Sequence, residues 1–320
     1  MWIREAVLVE PRRIEIRERE LNPQPGEALI EIKACGYCMT DFGVYEGRDP
    51  DAELPMVLGH EASGVVVETN PRPEDKPLAV GTRVTGAFGF AFATHAVAPI
   101  NRLFEIPEGV PFEHAQGEPL ACVVNVARAA NPPLGAHVAQ VGCGAMGLLV
   151  LMYLAQAGAR ALVAVDIVPS RLALAEEIGV THAFNPTECD VKERIMDITG
   201  GEGLDIAIEF SGKPAGFALL SEVLRYGGAR MLVPGSHMQP ATYNLWPLML
   251  QGATMQFVHP AFSADFDDDL QVGLHGLKTG LFRMDKVNTH RFTFDNVAQG
   301  FEMARTGEDG YIKGVFIPNE

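Results

Sequence analysis

The sequence predicts an α/β protein built from a β-rich domain and a doubly wound parallel sheet. Three observations carry that expectation. The chain of 320 residues exceeds the usual size of one domain. Its first third reads as short strands broken by Pro- and Gly-rich turns. From about residue 120 short apolar runs alternate with helical stretches, as strands buried on both faces of a parallel sheet do.

In the first third, Ala28–Lys33, Gly64–Glu68 and Thr94–Ala98 read as strands, separated by joints such as Asn22–Gly26 and Asn70–Pro77. A compact barrel or sandwich is expected there. Further on, His137–Val141, Ala161–Val165, Leu204–Phe210 and Ala229–Val233 are apolar strand candidates. Helices are expected over Ala145–Ala157 and Ser170–Ile178. After about residue 262 the pattern gives a helical stretch through Asp267–Lys278, a short strand, a helix over Asn296–Arg305 and a last strand over Ile312–Ile317. No internal repeat or low-complexity segment is visible.

Composition narrows the function classes. Against 25 basic residues stand 41 acidic ones, spread along the chain. A chain so acidic, without a basic stripe, has no electrostatic grip on nucleic acid or an anionic membrane. Met1 to Glu5 carries charge at once, with no signal-type apolar core behind it, and Ala145–Ala157 is too short to span a bilayer. Five cysteines, at 35, 38, 122, 143 and 189, form no disulfide framework, so a reducing cytoplasm is expected.

Two sets of residues carry chemistry. Val141 to Gly147 reads G-x-G-x-x-G from Gly142, at the end of an expected strand and the opening of an expected helix. Gly142 permits the tight turn, Gly144 clears the approach of a pyrophosphate, and Gly147 lets helix and strand pack closely. The helix start offers unpaired N–H groups to the diphosphate. Asp166 ends the next strand, close to the ~20-residue spacing of a ribose-binding acid, and a carboxylate there favours NAD by repelling a 2′-phosphate. Arg171 is a counter-signal, since an arginine can hold that phosphate.

The second set is Cys38, His60, Glu61 and Glu118. Catalytic zinc takes three protein ligands from Cys, His and carboxylate, leaving one position for water or substrate. Taken singly, these residues read equally well as a buried thiol, a satisfied histidine and a helix-start acid. The Cys35-x-x-Cys38 pair lacks the second pair of a zinc ribbon, and fits only loosely the strand-to-helix setting of a redox pair.

Taken together, the motifs resemble those of the zinc-dependent medium-chain dehydrogenases, the alcohol dehydrogenase family. Gly36 to Asp41 looks like G-x-C-x-[ST]-D, Pro55 to Gly64 looks like P-x-x-x-G-H-E-x-x-G, and Glu118-Pro119-Leu120 resembles the E-P-L of the sorbitol and threonine dehydrogenase branch. The likeness runs from the first strand to the Lys313-Gly314 segment. It implies a GroES-like catalytic domain over residues 1–122, completed by 263–320, with a Rossmann domain over 123–262 and the active site in the cleft. Cys38 and His60 would be zinc ligands. Glu61 or Glu118 would complete the set, the other holding water or swinging in during turnover. Asp41 would fix the His60 tautomer, Met146 would sit behind the nicotinamide, and Thr40 would hydrogen-bond the substrate oxygen and begin the proton path. The zinc would acidify the substrate hydroxyl, and hydride would pass to the nicotinamide of NAD.

Two departures stand out. The family's four-cysteine structural-zinc lobe would fall between about Glu68 and Arg83, where no cysteine occurs, so one zinc per chain is expected. The histidine that passes the proton to solvent in many relatives is Gly43 here, leaving water, the ribose hydroxyls, Tyr45 or His95.

The resemblance points to a small-molecule substrate, a secondary alcohol, polyol or sugar-type hydroxyl. Phe88, Phe90, Phe92, Leu245 and Trp246 raise the alternative of a pocket for apolar aliphatic or aromatic alcohols, or else are ordinary core and interface residues. A zinc-independent quinone or enoyl reductase, or a non-catalytic nucleotide-binding protein, is a weaker alternative, because neither needs the Cys-His-Glu set. A homodimer or homotetramer is expected, with the apolar Ala253–Val258 strand as joining edge or as an internal strand.

Overall fold

The computed structural model describes residues 1–259 and 263–319. The chain divides into two units, one formed by residues 1–121, 270–280 and 284–320, the other by 122–269 and 281–283.

The first unit opens with β1 (Trp2–Glu10), β2 (Arg13–Glu20), β3 (Glu27–Gly36), helix α1 (Met39–Tyr45), β4 (Met56–Val57), β5 (Glu61–Asn70), β6 (Arg83–Gly86), β7 (His95–Pro99) and β8 (Leu103–Glu105). Helix α2 (Gly117–Ala130) begins in this unit and ends in the other. β1 is flanked by β2 and β4 in a three-stranded sheet, while β3 runs antiparallel to both β5 and β7 in a larger one. The near-alternation of Ala28–Lys33 does not mark a solvated face. Ala28, Leu29, Ile30 and Ile32 are all fully buried, because β3 is central.

The second unit continues with β9 (His137–Val141), α3 (Ala145–Leu154), β10 (Ala161–Val165), α4 (Pro169–Ile178), β11 (His182–Phe184), α5 (Val191–Ile198), β12 (Ile206–Glu209), α6 (Pro214–Glu222), β13 (Arg230–Val233), α7 (Trp246–Gln251) and β14 (Thr254–Phe257). Its six strands are all parallel in the order β11-β10-β9-β12-β13-β14, the doubly wound arrangement whose order reverses between β9 and β12. All five residues of β10 are buried, which is why this strand reads as an unbroken apolar run. Among the described residues β14 is an edge strand, paired with β13 alone.

Phe262, the last residue of the expected Rossmann span, lies outside the described residues. Beyond it, Ser263 and Asp269 still belong to the second unit, where Arg128 binds both Asp268 (2.6 Å) and Asp269 (2.5 Å). The chain then forms α8 (Phe266–Thr279), α9 (Met284–Val287), β15 (Asn288–Phe292), α10 (Val297–Thr306) and β16 (Lys313–Phe316). β16 pairs parallel with β15 and antiparallel with β3, so the C-terminal segment extends the first unit's larger sheet. Phe301 of α10 joins Tyr37, Tyr45 and Phe92 in that unit's aromatic core. Among the described residues no helix is long and apolar enough to cross a membrane.

Candidate metal centre and dinucleotide turn

Cys38 stands at the junction between β3 and α1, in extended backbone just before the helix. His60 and Glu61 stand where the chain enters β5. Gly59 before them has φ +94°, which a side chain would strain, and a Cβ there would lie 2.9 Å from Cys35 Sγ. Sheet register completes the placement, since Gly36 pairs with Glu61 on one side and Val315 on the other. Cys38, His60 and Glu61 converge as a result, with one ligand atom from each within 4.8 Å of the others. Among the described residues no other such cluster of three or more is found. Glu118, in the first turn of α2, is not part of this close set, although its charge reaches Cys38.

His60 turns Nδ1 towards Asp41 Oδ1 at 3.2 Å, which leaves Nε2 as its ligand nitrogen. The other Asp41 oxygen is buried with no hydrogen-bond partner. Burial opposes a charge on His60, but Asp41 and Cys38 outweigh it and push its pKa up to about 12. Burial also pushes the Cys38 thiol up, with Glu61 adding to the effect and His60 opposing it. The pocket therefore favours a positive charge among its donors. A sulfur, an imidazole nitrogen and a carboxylate oxygen so placed fit zinc.

Glu61, 2% exposed, is bound by the buried ammonium of Lys313 in β16, which also donates to the Tyr37 carbonyl at 3.0 Å. Burial works against the charge on Lys313, yet Glu61 holds it well above the usual ammonium range. Gly36 leaves room for this carboxylate, because a Cβ there would overlap Glu61 Oε2 and approach Gln116 Oε1.

In the second unit the glycine-rich turn joins β9 to α3. Gly142 has φ +101° and packs so closely that a Cβ would meet Ser211 N at 2.8 Å. Gly144 N-caps α3 in extended backbone, and Met146 is half-buried in its first turn. A Cβ on Gly147 would overlap the Gly142 carbonyl. Gln140 donates to the carbonyls of Gly142 (3.0 Å) and Gly147 (2.9 Å), bracing the turn from beneath.

Two models of one family match this chain. The alcohol dehydrogenase GroES-like domain matches residues 24–108, and the zinc-binding dehydrogenase matches residues 145–272, together more than half the chain. The chain belongs to the zinc-dependent medium-chain alcohol dehydrogenase family. It is 28% identical to the L-threonine 3-dehydrogenase of Pyrococcus horikoshii over 322 residues, covering 91% of each chain. It is 26% identical to the erythritol/L-threitol dehydrogenase of Mycolicibacterium smegmatis over 364 residues, covering 92% of this chain and 91% of that one. Among solved structures it resembles the 2R,3R-butanediol dehydrogenase of Bacillus subtilis, with a TM-score of 0.85, 26% identity and coverage of 99% and 100%.

Several residues of this medium-chain dehydrogenase stand differently from what its sequence alone suggests. Both Asp166 oxygens take backbone donors, Cys143 N at 2.7 Å and Val168 N at 2.9 Å, so the carboxylate also shapes the glycine-rich turn. Each oxygen keeps a further lone pair for a ribose hydroxyl. Arg171 is half-buried in the first turn of α4. Cys35 is the last but one residue of β3 and Cys38 precedes a helix, the setting a redox pair would use, but both thiols are free and burial pushes Cys35 well up. Phe88 and Phe92 are core residues of the first unit, while Phe90, Leu245 and Trp246 are exposed. The Tyr45 hydroxyl is 3.3 Å from Glu302, and His95 Nδ1 is 3.2 Å from the Thr94 hydroxyl. Thr40 is exposed in α1, two residues beyond Cys38.

Lys313, Gln116 and Gln140 escape a reading of the sequence. Lys313 lies 252 positions from its carboxylate. One signal was available, since a lysine inside an apolar closing strand asks for a buried partner.

Proposed function

We propose that this chain oxidises a secondary alcohol, polyol or sugar-type hydroxyl to a carbonyl, using one zinc ion and NAD, and runs the reverse reduction. The convergence of Cys38, His60 and Glu61 carries this reading. In it, residues 1–122 with 263–320 serve catalysis and 123–262 bind the dinucleotide. Cys38, His60 and Glu61 hold the ion, with Glu118 in reserve as an alternative carboxylate. Zinc there supplies Lewis acidity that lowers the pKa of a bound hydroxyl. NAD bound at the glycine-rich turn would supply the hydride acceptor.

The chain's own groups do the rest. Asp41 fixes the tautomer and orientation of His60. Lys313 pairs with Glu61 and holds its carboxylate beside Cys38 and His60. Thr40 hydrogen-bonds the substrate oxygen and takes its proton onward to water, a route that suits Gly43 at the position of the missing relay histidine. Gly142, Gly144 and Gly147 seat the diphosphate, Met146 backs the nicotinamide, and Asp166 selects NAD while Arg171 stands nearby.

The polyol and secondary-alcohol preference is supported by the names of the relatives, which act on threonine, erythritol, threitol and butanediol. A single zinc is supported by the lack of any cysteine between Cys38 and Cys122. Five free thiols suit a reducing cytoplasm. The edge of β14, unpaired among the described residues and carrying the exposed Phe257, suits a homodimer or homotetramer, which analytical ultracentrifugation tests.

The direct experiment combines metal analysis of the purified protein with a substrate panel. One zinc per chain, and NAD reduction with polyols or secondary alcohols above that with benzyl alcohol, is the expected result. A protein without stoichiometric metal, or one that turns over only apolar primary alcohols, overturns it.

A further inference from the structure

The last residue of β12 is a glutamate with no exposed surface, Glu209. A carboxylate so placed must be met by donors on every side. Four are present. Ser211 donates its backbone N–H at 2.9 Å and its hydroxyl, both to Oε1. Gly212 N donates to Oε2 at 3.1 Å, and His237 Nε2 lies 2.7 Å from the same oxygen. His237 Nδ1 lies 2.7 Å from the Tyr243 hydroxyl. These roles are consistent in one neutral tautomer, with Nε2–H donating to the carboxylate and Nδ1 accepting from Tyr243. The Tyr243 ring packs edge-on against Phe217, 4.9 Å away in the core.

This chain of groups ties together two loops. One follows β12 and contains Ser211 and Gly212. The other follows β13 and contains Gly235, His237 and Tyr243. Gly235 N also donates to the Glu209 carbonyl at 2.9 Å. Side chains are excluded between the loops and the carboxylate, since a Cβ on Gly235 or Gly216 would come within 2.7 or 2.8 Å of it.

Both loops leave the carboxyl ends of their strands, where doubly wound sheets bind ligands, beside the point where strand order reverses. Glu209 is in register with Val141, the residue before the glycine-rich turn, and Ser211 N packs against Gly142. Asp166 follows β10, on the other half of the sheet. In a fold made of two mononucleotide-binding halves, the ribose acid marks the adenosine half, and the loops after β12 and β13 belong to the other.

We propose that Glu209, His237 and Tyr243 form a positioning network that shapes the nicotinamide-ribose half of the dinucleotide site, with His237 as the link between the two loops. The proposal rests on the reading of this chain as an NAD-linked enzyme. It differs from the known turn in that it acts through two loops and leaves the adenosine half alone.

The test compares binding of NADH with binding of ADP, which lacks the nicotinamide and its ribose. Calorimetry on the full chain reads both without turnover. His237→Ala is expected to weaken NADH about tenfold, the worth of one hydrogen bond to a charged group, and to leave ADP within about twofold. His237→Gln should recover part of the loss, and Tyr243→Phe, which removes one hydroxyl from an otherwise intact core ring, should weaken NADH about threefold. Equal losses for the two ligands, or no loss of NADH affinity in Tyr243→Phe and His237→Gln alike, overturn the network. A wild-type protein that binds neither ligand overturns the dinucleotide reading itself.

Discussion

The ammonium of Lys313 is paired with the carboxylate of Glu61 in the interior of the first unit, where β16, β3 and β5 lie side by side. Both side chains are almost wholly out of solvent. An ion pair of this kind contributes little beyond a well-packed apolar pair, but breaking it leaves a buried charge without compensation. Lys313→Met is therefore expected to destabilise the metal-free protein by about 3–5 kcal/mol. Differential scanning calorimetry on chelator-treated protein checks the loss. Added zinc should restore part of it in this variant, because a cation bound to Glu61 supplies the missing charge. An unchanged midpoint in metal-free Lys313→Met would show that the pair is not ionised.

Cys38→Ala removes the only sulfur from the three-atom set while leaving the glycine-rich turn untouched. Zinc content by elemental analysis should fall to background and turnover with it. NADH affinity, read by fluorescence, should stay within about twofold, since no ligand of the dinucleotide is altered. A parallel collapse of NADH binding would mean that the two sites are not separable.

Asp41 acts on the metal at one remove. Its Oδ1 faces His60 Nδ1 at 3.2 Å, and its loss frees the imidazole to rotate or to present the wrong nitrogen. Asp41→Asn is expected to weaken zinc about 10–100-fold, measured by competition with a chromophoric chelator. A zinc affinity equal to that of the parent protein would assign Asp41 to packing alone.

The convergence of Cys38, His60 and Glu61 was anticipated only through the likeness of their motifs to those of a family, since singly they read equally well as a buried thiol, a satisfied histidine and an ordinary acid. The sheet brings their two segments together. Lys313 was not legible, because its partner is set by sheet register, which nothing local in the four residues of β16 encodes. The doubly wound sheet was legible from its buried strands, yet β11 and α5 were not. β11 has only three half-buried residues, too few to show a period. Glu209 and His237 were hidden for a similar reason. An acid at a strand end reads as solvated unless the loops that cover it are known. The fate of Asp166 shows the limit from the other side, since its position was evident but its backbone partners were not.

Asp166 offers a test of coenzyme choice. Replacing it by Asn keeps one acceptor oxygen for either Cys143 N or Val168 N, puts an amide donor in place of the other, and removes the charge that would repel a 2′-phosphate. The ratio of kcat/KM for NAD over NADP should fall at least about tenfold in Asp166→Asn, with Arg171 in the first turn of α4 as a cation for the added phosphate. An unchanged ratio would remove Asp166 from coenzyme discrimination.

Gly36 is the residue whose absence of a side chain gives Glu61 its place. A methyl group there would overlap Glu61 Oε2 and press on the amide of Gln116, which is itself held by the Glu113 carbonyl at 2.9 Å. Neither neighbour has a free path, because Glu61 is tied to Lys313 and Gln116 is fully buried. Gly36→Ala should thus cost about 1–3 kcal/mol of stability, as overpacking a tight core does. The metal site should suffer as well, with zinc affinity down by at least about tenfold while NADH affinity holds. Pairing Gly36→Ala with Glu61→Gln distinguishes crowding of the carboxylate from a general effect. If the glycine acts through Glu61, its effect on zinc should shrink once the carboxylate is gone, and strictly additive losses would place its role elsewhere.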